Sequence, residues 1–383
     1  MVLKVADRGK IPPFIVMDVM QAAALREAKG SDILHLEVGQ PSTKAPSKVI
    51  AAAKTALDND KLGYTPALGL LSLRTGIAKH YKEWYGLDVP VDRIVATKGS
   101  SAAFILSFMA AFDPGDRVAM ASPGYPAYRN ILKSLGITPI SILTELEHRF
   151  QPTVPLLEEL KQPIDGLIIA SPSNPTGTMI NHKEMQDLSN YCREKNIRLI
   201  SDEIYHGINY EKKAVSALEI CKESLIINSF SKYFSMTGWR LGWMIVPEDL
   251  IRSAECLAQN MFISPPTLSQ IAASAAFDCY AEAEENVKRY AKNRSILMSE
   301  LPASGLDKLA PADGAFYIYA DVAHLTNDSV GFCKRMLEDI GVACTPGLDF
   351  DPDRGGGTLR LSFAGTERDM IEACERIRTW LRN

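Results

Sequence analysis

The sequence predicts an α/β fold: a large domain built on a mostly parallel sheet covered by helices, joined to a smaller α+β domain. Three observations predict it. At 383 residues the chain exceeds what one hydrophobic core usually organises. Between residues 90 and 260, short runs rich in Val, Ile and Leu alternate with helix-length segments, the pattern of a sheet flanked by helices on both faces. From residue 268 to about 300 there is neither Gly nor Pro, and the stretch is rich in Ala, Glu and Lys, as a long helix leaving the large domain would be.

In chain order, strands are predicted at 94–97, 117–121, 167–170, 198–202, 225–229 and 241–246. Helices are predicted at 101–112, 128–135, 183–195 and 248–260. The first of these takes in the longest apolar stretch, 102–112, which is too short to span a bilayer and reads as a buried helix. After the long helix over 268–300, the smaller domain carries strands at 315–319 and 358–363 and helices near 330–340 and 367–381. The segment up to about residue 45 joins this domain or lies against the cleft. The expected division is therefore 46–280 for the large domain, and 1–45 with 281–383 for the small one.

Composition narrows the function classes. With 46% hydrophobic and 23% charged residues and a net charge of -4, the chain shows no basic footprint for nucleic acid or anionic membranes. Seven scattered cysteines without a CxxC pair fit a reduced, cytoplasmic compartment, and six dispersed histidines give no metal-ligand spacing. The opening MVLKVADRGK has charges where a signal peptide needs its apolar centre.

In open α/β sheets ligands bind beyond the carboxyl ends of the strands, so the polar residues just past those ends come first. Four groups qualify: KGSSAAF after 94–97, SPSNPTG after 167–170, SDEIYHG containing Asp202, and SFSKYFSMTGWR after 225–229. Gly99 permits a turn from which the N–H groups of Ser100 and Ser101 point outward at a helix start, an anion site that is equally an ordinary Ser-capped turn. No dinucleotide or P-loop fingerprint is present. Ser229, Ser231, Lys232 and Arg240 place two hydroxyls, an amine and a guanidinium after one strand, and a guanidinium there can clamp a phosphate. Taken singly, Lys232 is also a solvated lysine, Asp202 a loop carboxylate and Asn174 a turn residue. In TLRLSF, Arg360 shares one strand face with Thr358 and Ser362, and a guanidinium on such a half-buried strand wants an anion, either a ligand or a nearby acid.

SFSKYFSMTGWRLGW resembles the Schiff-base signature of the class I/II aminotransferases, pyridoxal-phosphate enzymes of fold type I, in which S-x-[SA]-K is followed eight residues after the Lys by an Arg. The resemblance extends in order through GYTPALGLLSLR, SPGYPAY, SPSNPTG, SDEIY and LRLSF, nearly the whole chain. It implies a seven-stranded large sheet, pyridoxal 5′-phosphate as cofactor and transfer of an amino group from an L-amino acid to a 2-oxo acid such as 2-oxoglutarate or pyruvate. Carried over by position, it implies that Lys232 holds the cofactor and moves the α-proton, and that Asp202 meets the pyridine nitrogen. Asn174 and Tyr205 would reach the 3′ oxygen. Tyr125 would cover the ring where many members have Trp. Ser100, Ser101, Ser229 and Arg240 would hold the phosphate, with Tyr64 reaching in from a partner subunit of a homodimer. Arg360 and the Gly39 backbone would bind the substrate carboxylate, beside Asn174 and Tyr125.

Family members specialised for dicarboxylic donors carry a further cation. One branch places an Arg in the loop that here reads AQNMFISPP; another places a Lys where this chain has Ser101. With Ile11, Pro12, Phe14, Tyr125, Phe262 and Ile263 as expected lining, neutral, aromatic or branched donors are predicted. A lyase on the same fold, and an aspartate aminotransferase using a distal cation such as Lys10, remain open readings.

Overall fold

The computed structural model describes residues 3–382. Its large sheet has seven strands: β1 (Ile94–Thr97), β2 (Arg117–Ser122), β3 (Thr138–Leu143), β4 (Gly166–Ala170), β5 (Arg198–Asp202), β6 (Leu225–Ser229) and β7 (Gly242–Ile245). They lie in the order β1-β7-β6-β5-β4-β2-β3. β7 runs antiparallel to both neighbours and every other pair is parallel. Strands β4, β5 and β6 are buried almost throughout, because helices cover both faces; this is why they read as continuous apolar runs rather than alternating ones.

The six strands expected here are all present. The seventh, β3, has no sequence signal because it is an edge strand with Pro139 inside it and Thr138, Ser141 and Leu143 exposed. Three helices before the sheet, Ile15–Glu27, Ser47–Asn59 and Leu71–Tyr85, also went unassigned. Exposed apolar residues on them, among them Met17, Leu25, Leu57 and Leu71, blur the stripe that would have marked their faces.

The single helix expected over 268–300 is a correction. It is two helices, Thr267–Ser274 and Tyr280–Ala303, parted by a 3-10 turn at Ala276–Asp278. Propensity favours continuity, but packing decides: Phe277 in the break enters an aromatic cluster, with ring centroids 5.6 Å from His80, 5.6 Å from Phe230 and 5.7 Å from Phe234. No helix among the described residues is long and apolar enough to cross a membrane.

A second sheet, antiparallel throughout, contains β8 (Lys308–Leu309), β9 (Tyr317–Asp321), β10 (Thr345–Pro346) and β11 (Thr358–Ser362) in the order β10-β11-β9-β8. β9 starts two residues later than expected, since Ala315 has a positive φ of 56° that ends the extended run. Expected to be half-buried, β11 is buried on both faces from Leu359 to Ser362, because its polar face is covered by residues 37, 345 and 350. The N-terminal segment makes two kinds of contact. Leu34–His35 pairs in parallel with Val342–Ala343, and the start of helix Ile15–Glu27 faces the cleft.

Candidate active site

Between the carboxyl ends of β4, β5 and β6 and the second sheet lies a cavity of about 220 Å³. One end is an anion cradle. Helix Gly99–Ala111 begins there, and Lys98 at its N-cap offers no side-chain cap, so the first-turn N–H groups beside Ser100 and Ser101 are left to a ligand. Arg240, with φ 51° and ψ 51°, reaches the same end and donates from Nη1 to the Thr237 carbonyl at 2.9 Å. Gly99 has φ +75°, and a Cβ on it would lie 2.5 Å from Arg240 Nη2. Only glycine gives both the turn and the close approach. Ser229 stands behind the wall, its Oγ 2.9 Å from Ser231 Oγ and 3.0 Å from the Leu241 carbonyl; Ser231 is the hydroxyl that faces the cavity.

Lys232 is a confined amine and not a solvated one. Its Nζ donates to the Gly39 carbonyl at 2.5 Å and lies 5.8 Å and 5.9 Å from the ring centroids of Tyr205 and Phe316. Burial, aided by Arg360 and Arg240, pulls it down to about 7 against the opposing pull of Asp202. A lysine poised there presents a neutral, nucleophilic amine near neutral pH. Asp202, at the end of β5 and 5% exposed, accepts from the Ile204 amide at 3.1 Å and from the Tyr128 hydroxyl. Burial pushes its carboxyl up to about 6, and those two donors pull it back. Such a group would gain strongly from a cationic partner in the cavity.

The opposite end is built for a carboxylate. Arg360 is 2% exposed and sandwiched between the rings of Tyr317 and Phe350, 4.2 Å and 4.8 Å from their centroids. Its Nη1 donates to Asn174 Oδ1 at 2.7 Å and its Nη2 to the Glu37 carbonyl and, at 3.2 Å, to Thr345 Oγ1. Its Nε is buried without a partner. The Tyr205 and Tyr317 hydroxyls meet at 2.7 Å, and a Cβ on Gly39 would overlap the Tyr317 hydroxyl. Tyr125 stands edge-on to Tyr128 and Phe14, at 5.2 Å and 5.7 Å between centroids.

The class I and II aminotransferase family model matches residues 31–377. The chain belongs to that family. A valine–pyruvate aminotransferase from Mycobacterium tuberculosis is 50% identical over 99% of this chain and 98% of its own. The crystal structure of an aminotransferase from Mycobacterium tuberculosis superposes with TM-score 0.97 at 50% identity, over all of both chains. An aspartate aminotransferase from Thermus thermophilus, solved with maleate, gives TM-score 0.93 at 30% identity over 99% of this chain and all of its own.

In this aminotransferase the cavity gathers Gly39, Ser100, Ser101, Tyr125, Asn174, Asp202, Tyr205, Lys232, Arg240 and Arg360 on one wall or another. Tyr64 lies outside the cavity of this chain and is 85% exposed. Of the expected apolar lining, Phe14 and Tyr125 are present, whereas Ile11, Pro12, Phe262 and Ile263 are not; Val16, Met17, Val38 and Ile204 take their place. The helix starts at Ile15, so residues 11 and 12 stay on the exposed approach to it. Lys10 pairs with Asp7 at 2.8 Å on the surface. Tyr128, Tyr317 and Glu37 were not singled out in the sequence. Tyr128 had one available signal: it sits three residues past Tyr125, the spacing of a shared helix face.

Proposed function

We propose that this aminotransferase carries pyridoxal phosphate on Lys232 and moves the amino group of a neutral L-amino acid, of the size and kind of valine, to pyruvate or a similarly small 2-oxo acid. The observation that carries the substrate reading is the count of cations. Among the described residues lining the cavity only Lys232, Arg240 and Arg360 are cationic, and the lining not given above to the cofactor or the carboxylate includes Phe14, Val16, Met17, Val38 and Ile204, with the polar Gln40 beside them. A distal carboxylate there would be buried unpaired, at a cost of several kcal/mol. The name of the 50%-identical relative supports the same choice.

The donor set suits the cofactor. The uncapped first turn with Ser100 and Ser101, together with Arg240 and the nearby Ser229, would take the phosphate. Asp202 would take the pyridine nitrogen, and Asn174 and Tyr205 the 3′ oxygen. Bound there, pyridoxal phosphate supplies an electron sink for negative charge at the amino acid α-carbon. Lys232 takes the α-proton and returns it, as its lowered basicity allows. Arg360, held flat between Tyr317 and Phe350, orients the donor's α-carboxylate through its guanidinium. Asp202, steadied by Tyr128, would favour the cationic form of the ring nitrogen, and Tyr125 and Phe14 would keep water from that side of the cavity.

Tyr64 we read as a contribution to a second copy of the chain. Its turn is pinned on both sides, by Thr267 Oγ1 donating to the Gly63 carbonyl at 2.5 Å and Gln270 Nε2 to Thr65 Oγ1 at 2.9 Å, yet the ring between is left in solvent.

Borohydride reduction of the purified yellow protein is expected to fix the label on Lys232; label on another lysine overturns the cofactor assignment. Valine, leucine, phenylalanine and aspartate are then compared by kcat/KM with pyruvate and with 2-oxoglutarate. Aspartate outrunning the neutral donors overturns the substrate reading.

A further inference from the structure

Asp349 lies outside the cavity wall and is 1% exposed, yet it is bonded to two of the segments that form the wall. Its Oδ1 accepts from the Ile15 amide at 3.1 Å and its Oδ2 from the Val16 amide at 3.2 Å. These are the first two amides of helix Ile15–Glu27, whose own N-cap, Phe14, offers no side-chain cap. A carboxylate set against a helix N-terminus meets both the unpaired N–H groups and the positive end of the macrodipole. Burial pushes this carboxyl up, while the two amides, Arg360 and Arg129 pull it back toward the charged form.

The same turn is tied to the other walls. Arg129, one helical turn beyond Tyr125, donates to the carbonyl of Asp349 and, at 3.5 Å, to that of Phe350. The Gly124 amide donates to the Phe350 carbonyl at 3.1 Å, and the Phe350 ring stacks on the Arg360 guanidinium. Phe14, Val16 and Met17 all face the cavity from the turn of helix that Asp349 holds. One buried acid thus fixes the spacing between Arg360, where the donor's carboxylate sits, and the apolar wall that its side chain meets.

We infer that Asp349 is a specificity-determining positioning residue, which sets the depth of the donor side-chain pocket through the helix it caps. The inference rests on the neutral-donor reading above. Without the carboxylate, the first turn loses two charge-assisted hydrogen bonds and frays, and Phe14, Val16 and Met17 recede. A donor whose side chain reaches that wall then loses contact, and one whose side chain is a single methyl does not. Lys232 and Arg360 are left as they were.

The test is the half-reaction of the holoenzyme with L-valine and with L-alanine, followed by the cofactor's absorbance without any acceptor. In Asp349→Ala the second-order rate constant for valine is expected to fall about tenfold, the worth of roughly two buried carbons. The loss falls on the apparent Kd and not on the limiting rate, and the constant for alanine stays within about twofold. Asp349→Asn, which keeps an acceptor for one amide, falls between. Val16→Ala lowers the valine-to-alanine ratio in the wild-type background and adds nothing in Asp349→Ala, the non-additivity expected of two changes acting through one element. An equal fall for both donors, an unchanged ratio, or additive effects of the two substitutions overturns the inference. Wild-type enzyme preferring aspartate sinks the donor reading instead, and this is seen before any variant is made.

Discussion

On the large-sheet side of the cavity, Lys232, Asp202 and Asn174 follow the ends of three neighbouring strands, so the hydrogen-bond ladder of the sheet fixes their spacing. The facing wall is assembled differently. Tyr317 and Arg360 stand on the paired strands β9 and β11, but Phe14 and Gly39 come from the N-terminal segment, which is tied to that sheet by hydrogen bonds such as those of Arg360 to the Glu37 carbonyl and of Asp349 to the Ile15 amide. The difference teaches where change is tolerated. Asp202 ends a strand of the ladder, and Asn174 and Lys232 follow within a few residues of its edge, whereas the N-terminal segment that carries Phe14 is fastened by fewer bonds and has more room to shift.

The largest effect should come from the ladder side. On the proposed assignment Lys232→Ala removes the base and the anchor together, and the single-turnover rate with valine is expected to fall by at least about 10⁴-fold. A variant within tenfold of wild type would break the division at its strongest point. Arg360→Ala tests the other wall. Every amino donor should lose affinity by the same factor, on the order of 10²-fold, because all present the same α-carboxylate, with much less change in limiting rate. A loss that differs between valine and phenylalanine would mean that Arg360 also shapes the side-chain pocket.

The smallest effect concerns how the second wall is fastened. His35, on the short strand beside Val342–Ala343, lies 2.8 Å from Glu37, whose carbonyl holds Arg360. The hydrogen bond and charge of Glu37, with help from Glu27 and against burial, raise His35 to about 9. A histidine raised in the folded state stabilises fully below its unfolded value of about 6.5, and the contribution is lost as pH climbs through about 9. Denaturant unfolding should therefore weaken across that window by under about 1 kcal/mol, since the imidazole is partly exposed. His35→Gln should flatten the profile; a variant that keeps the same slope would assign it to another group.

How far the sequence could be read follows the same division. That Asp202 and Lys232 border the cavity was legible because a buried parallel strand announces its own end, and residues at or just past that end inherit a known place. Asn174 was legible for that reason too, although its hydrogen bond to Arg360 was not. Tyr128 and Tyr317 were missed, since nothing local marks a tyrosine whose partner, Asp202 or Tyr205, is far along the chain. The break at Phe277 was hidden for an equivalent reason: helix propensity is local, and the aromatic cluster that interrupts it is not. Pro139 removed the strand signal from β3 although the sheet edge accommodates it.

A cavity whose walls run from Phe14 to Arg360 has a bearing on how this chain acquires its activity. A ligand set drawn from residues so far apart in the sequence is complete only once their long-range contacts have formed. A cofactor held by residues as far apart as Ser100 and Arg240 would bind only the folded molecule and add its binding energy to global stability, about 4 kcal/mol when present at a thousand times its Kd. Chains emerging without it would fold to the same architecture but remain the ones most readily cleared.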